Sequence, residues 1–161
     1  MARAGVKKKL PEWWHKGQWA VNIINKLTHT KGKSAGKPFN LRPWQENIIR
    51  RIFGTLTNDG LRQFTTVYIE LPRKNGKSEL AAAIAIILLL FDKEEGAEVY
   101  SAAAEKSQAS MVFNVAAKMI KNDQHLLKKV KVLDSVKRII HPGSGSFYTA
   151  ISAEAYSKHG F

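Results

Sequence analysis

The residues with the clearest chemical capacity lie in one short stretch, Arg73-Lys74-Asn75-Gly76-Lys77-Ser78. Gly76 lets the backbone approach a phosphate closely, Lys77 can reach the β- and γ-phosphates of a nucleotide, and Ser78 can place a hydroxyl on Mg²⁺. The N–H groups at the start of a following helix point at the same anion, and the helix dipole adds partial positive charge there. These residue types predict a site for the terminal phosphates of a nucleotide and for Mg²⁺.

The elements on either side of this stretch have the order that a P-loop needs. A β-branched and aromatic run at Thr66–Ile69 predicts a strand, and the strongly apolar run Glu79–Phe91 predicts a helix. Leu71 occupies the position where the usual G-x-x-x-x-G-K-[ST] pattern has its first glycine, so the pattern is incomplete. The alternative is an ordinary exposed turn rich in Lys and Arg. The flanking strand and helix favour the P-loop.

A second Gly-Lys-Ser triplet, Gly32-Lys33-Ser34, shows how much this context matters. No apolar strand precedes it, and Gly36 and Pro38 block a helix after it. We therefore predict that residues 28–38 form a polar loop and that this triplet is not a phosphate site.

The composition indicates a globular domain with a basic surface. The chain has 161 residues, 44% of them apolar, which is enough for one domain with a sizeable core; without cysteine it has no disulfide or thiolate metal site. Its 26 Lys and Arg against 13 Asp and Glu give a net charge of +13, which favours polyanion partners. A basic surface without a dedicated partner is the alternative.

No stretch predicts a membrane span or a secretion signal. The longest apolar run, Leu80–Phe91, is shorter than the roughly 20 residues that cross a bilayer. The basic start is followed by Pro11 and a polar, tryptophan-rich segment rather than by the apolar core of a signal peptide.

The rest of the chain alternates helices with strands. Residues 1–11 are predicted to be a basic tail. Hydrophobic periodicity predicts helices at 12–27 and 104–122, and between them a helix that opens within residues 39–45, with Asn40 as its cap, and ends at Phe53-Gly54. Strands are predicted at 97–102, 136–141 and 146–151, and the last two flank a predicted hairpin loop at 141–145. This order predicts a parallel sheet with helices on both faces and a nucleotide outside the carboxyl end of the P-loop strand. Near the last helix lies a basic patch, Lys118, Lys121, Lys128, Lys129, Lys131, Lys137 and Arg138.

Three stretches together resemble the large terminase subunit of tailed bacteriophages, the ATP-driven motor and nuclease that packages viral DNA into a procapsid. They are AVNIINKLTHTKGKSAGKPFNLRPWQENIIRRIFG, LPRKNGKSELAAAIAIILLL and YSAAAEKSQASMVFNVAAKMI. The resemblance runs from about Ala20 to the last residue. It implies an α/β fold of the P-loop NTPase-like (ASCE/RecA-like) class, with an incomplete parallel sheet and flanking helices. It also implies an N-terminal helical segment at 12–60 and a partial P-loop ATPase core at 61–161.

By this resemblance, residues 73–78 are the family's deviant Walker A, R-x-x-G-K-[ST], which accounts for Leu71. ATP and Mg²⁺ are then the implied cofactors, and Arg73 becomes a cis-acting arginine that senses the γ-phosphate; a solvated loop cation is the alternative. On chemistry alone Gln45 is a surface residue. It matches the glutamine of the family's L-x-P-W-Q segment, which is associated with adenine, and an amide can donate and accept at once.

The sequence departs from the family in one respect. In the family, a Walker B strand that supplies acids for Mg²⁺ and for water activation follows the residues that match Ser152-Ala153-Glu154-Ala155 and His159-Gly160-Phe161. This strand, the coupling motif and the RNase H-like nuclease domain are absent from the sequence. We therefore expect a fragment that binds ATP weakly and hydrolyses it poorly, with Arg73 and Lys77 as the catalytic candidates.

The resemblance also implies partners. These are double-stranded DNA, the small terminase subunit, the portal protein and further copies in a ring, in the cytoplasm of a bacterial host and without a membrane. Two alternatives stay open. One is a non-catalytic basic nucleic-acid-binding or assembly fragment, and the other is a different P-loop ATPase of the helicase-like kind.

Overall fold

The computed structural model describes residues 10–152. Most of the predicted basic tail at 1–11 lies outside them, as do residues 153–161, which hold most of the positions matched to the approach to the Walker B strand. The chain divides into two units: one holds the described residues up to Lys26 together with Asn40–Ile69, and the other holds Leu27–Phe39 together with the described residues from Glu70 on. The predicted boundary between residues 60 and 61 stays a prediction. None of the described helices is long and apolar enough to span a membrane.

The first unit contains α1 (Glu12–Lys16), α2 (Gln18–Lys26) and α3 (Pro43–Gly54). The second contains a 3-10 turn (Gly32–Ser34), α4 (Lys77–Leu90), β1 (Glu98–Ala103), α5 (Lys106–Lys121), α6 (Gln124–Leu127), β2 (Lys131–Leu133), β3 (Arg138–His141) and β4 (Ser146–Ser152). The predicted second helix and the predicted strands at 97–102, 136–141 and 146–151 are confirmed, with small differences at their ends. The helix is capped by Arg42 and not by Asn40, which has a positive φ of 44°. The short elements α6 and β2 were not predicted.

The prediction of a single helix at 12–27 is wrong, because the helix is interrupted at Gly17, between α1 and α2. The cause is the close crossing of α1 and α3. A Cβ at Gly17 would lie 2.6 Å from the Arg50 Cα, and a Cβ at Gly54 would lie 2.0 Å from the Trp13 carbonyl oxygen. Only glycine lets two backbones approach this closely. The Arg50 guanidinium closes the crossing, since it lies 4.3 Å from the Trp14 ring centre and donates to the Trp14 carbonyl at 2.8 Å.

The second unit is built on a four-stranded sheet with the order β1-β4-β3-β2. The β1–β4 pair is parallel, while β4–β3 and β3–β2 are antiparallel. The sheet is therefore mixed rather than parallel throughout; its β1–β4 pair is parallel, as the prediction of a parallel sheet requires. The reason is local: the turn between His141 and Ser146 joins β3 and β4 as a hairpin, which forces an antiparallel pair.

The prediction that helices cover both faces of the sheet is wrong along β1, where helices cover one face. On the covered face, Phe113 of α5 lies 6.0 Å from Tyr148 of β4, and the Tyr148 hydroxyl donates to Ser101 of β1 at 2.9 Å. The other face of β1 is exposed, and half of Tyr100 on that face is accessible. The core of the unit lies between α4, α5 and the covered face.

The predicted strand at Thr66–Ile69 does not form; residues 66–72 have no regular secondary structure. A strand exists only when its N–H and C=O groups pair with a neighbour, and within residues 10–152 this segment pairs with no strand. Its side chains are accordingly accessible, Tyr68 to 86% and Val67 to 45%. A favourable residue pattern is not sufficient for a strand without a partner.

Candidate phosphate-binding site

The loop before α4 has the backbone shape that an anion site requires. Lys74 and Gly76 adopt positive φ angles of 68° and 75°, and α4 begins at the next residue, Lys77. The first helical hydrogen bond runs from the Leu80 N–H to the Gly76 carbonyl at 2.9 Å. The N–H groups just before Leu80 have no carbonyl partner within the helix, so they are available to an anion at the positive end of the dipole.

The side chains of the loop leave this end of the helix open. Arg73, Lys74 and Lys77 are all exposed. The Asn75 side-chain amide donates toward the carbonyls of Pro72 and Arg73, each at 3.4 Å, so Asn75 braces the loop. Three exposed cations therefore lie in the loop or at the first residue of the helix.

Ser78 lies in the first turn of α4, and its hydroxyl donates to the Met111 sulfur of α5 at 3.4 Å. A thioether is a weak acceptor, so the hydroxyl is not held strongly and is free to turn toward a stronger ligand. Among residues 10–152, no three His, Asp or Glu side chains cluster in a way that could hold a metal ion. Ser78 fits Mg²⁺ in the manner usual for this ion, which takes few protein ligands and is completed by substrate phosphates and water.

Glu79, the next residue, is held by a segment far away in sequence. Its carboxylate accepts from the Thr30 N–H at 2.9 Å and from the Thr30 hydroxyl at 3.3 Å, and it lies 2.8 Å from His29 Nδ1. The predicted loop at 28–38, which carries the second Gly-Lys-Ser triplet, thus packs on the first turn of α4. Sequence analysis missed this contact. The sequence did hold a signal for it. His29 and Thr30 lie in an otherwise basic loop, and Glu79 is the acidic residue in the first turn of α4.

Gln45 occupies the third position of α3 in the first unit. It is 7% exposed, so the prediction of a surface residue from chemistry alone is wrong. Its side-chain oxygen accepts from the Arg42 N–H at 2.9 Å and caps the helix. One of the two polar ends of this amide is therefore committed to the helix start. The role at adenine stays a prediction.

The basic patch is partly assembled by the second unit. Exposed lysines lie near the end of α5 and on through α6 to β2; they are Lys118, Lys121, Lys128, Lys129 and Lys131. Lys121 pairs with Asp134 at 2.7 Å. Lys137 donates to Asn114 at 3.1 Å, and the Arg138 guanidinium stacks 3.7 Å from the Phe147 ring centre. The last two side chains are therefore engaged with the protein itself.

A left-handed glycine that leads into an apolar helix beginning Lys-Ser, beside a sheet with packed helices, defines a protein of the P-loop NTPase-like class. The comparisons with known proteins agree and are more specific. Residues 43–160 match the family model described as the ATPase domain of the terminase large subunit. The chain belongs to this family, and the resemblance read from the sequence is confirmed.

One curated relative and one solved structure illustrate the similarity. The large terminase subunit of Enterobacteria phage HK97 is 30% identical over 131 residues, which cover 81% of this chain and 25% of that protein. The crystal structure of the HK97 large terminase superposes with a TM-score of 0.75 at 27% identity, covering 91% of this chain and 29% of the other. The chain thus spans about a quarter of the length of this relative.

Proposed function

We propose that this chain is the nucleotide-binding part of a DNA-packaging motor and that it binds ATP with Mg²⁺ at the start of α4. The observation that carries the proposal is the junction at Gly76. Its φ of 75° turns the chain directly into a helix whose first two residues are Lys77 and Ser78. A loop of this shape presents backbone N–H groups and a helix dipole to one anion-sized position. Membership of the terminase ATPase family supports the same ligand.

Each residue of the loop has a distinct role in the proposed complex. The exposed Lys77 ammonium binds the β- and γ-phosphates, and the Ser78 hydroxyl leaves Met111 to bind Mg²⁺. Arg73 senses the γ-phosphate, because a guanidinium stays charged and binds two oxygens as a fork. Lys74 and Asn75 shape the loop, the former through its positive φ and the latter through its two carbonyl contacts.

We place adenine near Gln45. The proposal depends on the match to the family's L-x-P-W-Q segment and on the buried position of this amide at the start of α3. A buried amide that caps a helix is held in one orientation. With the oxygen engaged at the helix start, the nitrogen of this fixed amide is the end suited to donate to an acceptor on a base edge.

We further propose that the isolated chain binds ATP but turns it over slowly. Glu79 is the acidic residue in the first turn of α4, and the contacts of its carboxylate with His29 and Thr30 occupy it. A carboxylate used in this way is a poor base for water. Release of phosphate from ATP by the purified chain, compared with Lys77→Ala, tests this step. Rapid turnover that depends on Lys77 contradicts it.

The remaining partners follow from the family. We propose that double-stranded DNA contacts the exposed lysines of the basic patch, and that the small terminase subunit, the portal protein and further copies of the chain complete the motor in the bacterial cytoplasm. The net charge of +13 supports the DNA contact, because phosphate neutralisation releases counterions. Fluorescent ATP binding with and without Mg²⁺ tests the nucleotide site, and salt-dependent DNA binding tests the basic patch independently.

A further inference from the structure

The loop of Leu27–Phe39 has a closed shape of its own. The Phe39 N–H donates to the Leu27 carbonyl at 2.8 Å, the His29 N–H donates to the Lys37 carbonyl at 2.9 Å, and the Gly36 N–H returns to the His29 carbonyl at 2.8 Å. These bonds hold the two ends of the loop together, so the backbone of the loop is closed by its own hydrogen bonds. His29 and Thr30 of this loop contact Glu79 in the first turn of α4.

His29 lies between two hydrogen-bond acceptors. Its Nδ1 is 2.8 Å from a Glu79 carboxylate oxygen, and its Nε2 is 3.0 Å from the Phe39 carbonyl oxygen. A carbonyl accepts only, and the ionised carboxylate accepts only, so the ring makes both bonds when both nitrogens carry hydrogen. The ring also stacks on Phe39, with centres 4.8 Å apart and planes 17° apart, which fixes its orientation. The geometry therefore holds the ring between two acceptors, and the two hydrogen bonds together need a hydrogen on each ring nitrogen.

Thr30 completes the contact from a buried position. Only 1% of Thr30 is exposed, and both its N–H and its hydroxyl donate to the same Glu79 oxygen. The Glu79 side chain itself is 19% exposed. A partly buried ion pair with additional hydrogen bonds is held more firmly than a solvated pair, because water competes less for its partners.

The position of Glu79 makes its charge important. It follows Ser78 directly, in the turn whose N–H groups face the proposed phosphates. An uncompensated carboxylate there would oppose the binding of a polyanion. We propose that His29 is a positioning residue for the nucleotide site: with hydrogen on both ring nitrogens it anchors Glu79, and through it the first turn of α4, and it offsets the carboxylate charge beside the phosphates. This inference rests on the proposed function, since it assigns a nucleotide-affinity role to residues outside the P-loop.

The experiment compares dissociation constants of a fluorescent ATP analogue, mant-ATP, with Mg²⁺ for the wild-type chain and four variants. They are His29→Ala, His29→Gln, the double variant His29→Ala with Glu79→Gln, and the control Lys33→Ala. Lys33 lies in the same loop, is exposed and carries the same charge sign. Far-UV circular dichroism shows which variants are folded. If His29→Ala is unfolded, His29→Gln, which keeps one donor but no charge, carries the test in its place.

We expect His29→Ala to weaken mant-ATP binding by roughly five- to twentyfold. Adding Glu79→Gln should recover a substantial part of the loss, because the uncompensated carboxylate has then been removed. Lys33→Ala should stay within about twofold of the wild type. A purely structural contact predicts no such recovery, since the double variant has lost two members of it. Unchanged binding by the histidine variant, or a double variant no better than the single one, overturns the proposal.

A second measurement separates this proposal from the proposed function. Hydrogen exchange in the free chain reports how firmly the first turn of α4 is held. We expect faster exchange at the Leu80–Ala83 amides in His29→Ala and no change in Lys33→Ala. If the wild type binds no mant-ATP, the proposed function fails, and faster exchange then still supports the anchoring role. Unchanged exchange overturns it.

Discussion

The Ser78 hydroxyl donates a hydrogen bond to the Met111 sulfur at 3.4 Å, and this contact joins the first turn of the P-loop helix to α5. Sulfur is a weak acceptor, so the bond costs little to break. It nevertheless keeps the hydroxyl in one region between two helices that pack together. The proposed Mg²⁺ ligand is therefore only weakly bound beside the start of α4, and it can rotate toward a metal that binds with the nucleotide.

Replacing Ser78 with alanine should abolish the effect of Mg²⁺ on nucleotide affinity. The wild type is expected to bind mant-ATP more tightly with Mg²⁺ than in EDTA, because the hydroxyl binds the metal that bridges the phosphates. Ser78→Ala should bind equally in both conditions. Ser34→Ala, in the second Gly-Lys-Ser triplet, is the matched control and should keep the Mg²⁺ effect. A full Mg²⁺ effect in Ser78→Ala contradicts the assignment.

Replacing Lys77 with alanine should weaken mant-ATP binding by about tenfold or more, because hydrogen bonds to a charged group contribute about 1.5–3 kcal/mol. The fold should be unaffected, since Lys77 is exposed. Fluorescence titration measures the affinity and thermal melting checks the fold. Lys33→Ala removes the lysine of the other triplet and should bind like the wild type. Equal losses in the two variants would mean that general charge, rather than the loop, binds the nucleotide.

Replacing Gly54 with alanine should destabilise the first unit by about 3 kcal/mol or more, because overpacking against backbone leaves little room to relax. The new Cβ would lie 2.0 Å from the Trp13 carbonyl oxygen and 2.6 Å from the Gly17 nitrogen. The urea midpoint measures the loss. Gly143→Ala is the control: its Cβ meets nothing nearer than the His141 ring at 3.4 Å, so little change is expected. A stable Gly54→Ala chain would show that α1 and α3 do not cross this closely.

Stability at alkaline pH should depend on Tyr148. Burial raises the pKa of Tyr148 above its ordinary value of 10.0, and the hydrogen bond with Ser101 lowers that pKa in part. Above about pH 10 the unfolded chain releases this proton while the folded chain keeps it, so the free energy of unfolding falls as pH rises through the folded-state pKa.

The melting temperature of Tyr148→Phe should therefore fall less between about pH 9 and about pH 11 than that of the wild type does. Its baseline stability should be lower by about 1 kcal/mol, since the bond to Ser101 is lost. Tyr68→Phe is the control, because Tyr68 is 86% exposed and should leave the pH profile unchanged. Identical profiles for wild type and Tyr148→Phe refute this source of the pH dependence.

Replacing Lys128 and Lys129 together with alanine should weaken binding to double-stranded DNA without changing mant-ATP affinity. Each lysine that neutralises a phosphate contributes about 0.9 to the slope of log K against log salt concentration. The double variant should therefore show a shallower slope in fluorescence anisotropy titrations at several salt concentrations. Lys31→Ala with Lys33→Ala removes the same charge from the loop at 27–39 and is the control. Equal slopes for the two double variants argue against a dedicated DNA surface just after α6.

Much of the site could be predicted from local sequence. Gly76, Lys77 and Ser78 sit at a loop-to-helix junction because a glycine takes the positive φ and the apolar run after it can only be a buried helix. The hairpin of β3 and β4 could also be predicted from the sequence, since Pro142 and the glycines beside it separate two β-branched and aromatic runs. The helix α6 had a recognisable signal as well: the Asp123 carboxylate accepts from the N–H groups of His125 and Leu126.

The sequence by itself determined the elements whose cause lies within a few residues, together with the family and the position of the candidate phosphate-binding loop. The tertiary structure decided the rest. It left Thr66–Ile69 without a strand partner, broke the first helix where Gly17 meets α3, and brought His29 to Glu79 across 50 residues. The physical reason is that pairing, close approach and charge compensation each need a second group. Only the folded chain determines which distant residue supplies it.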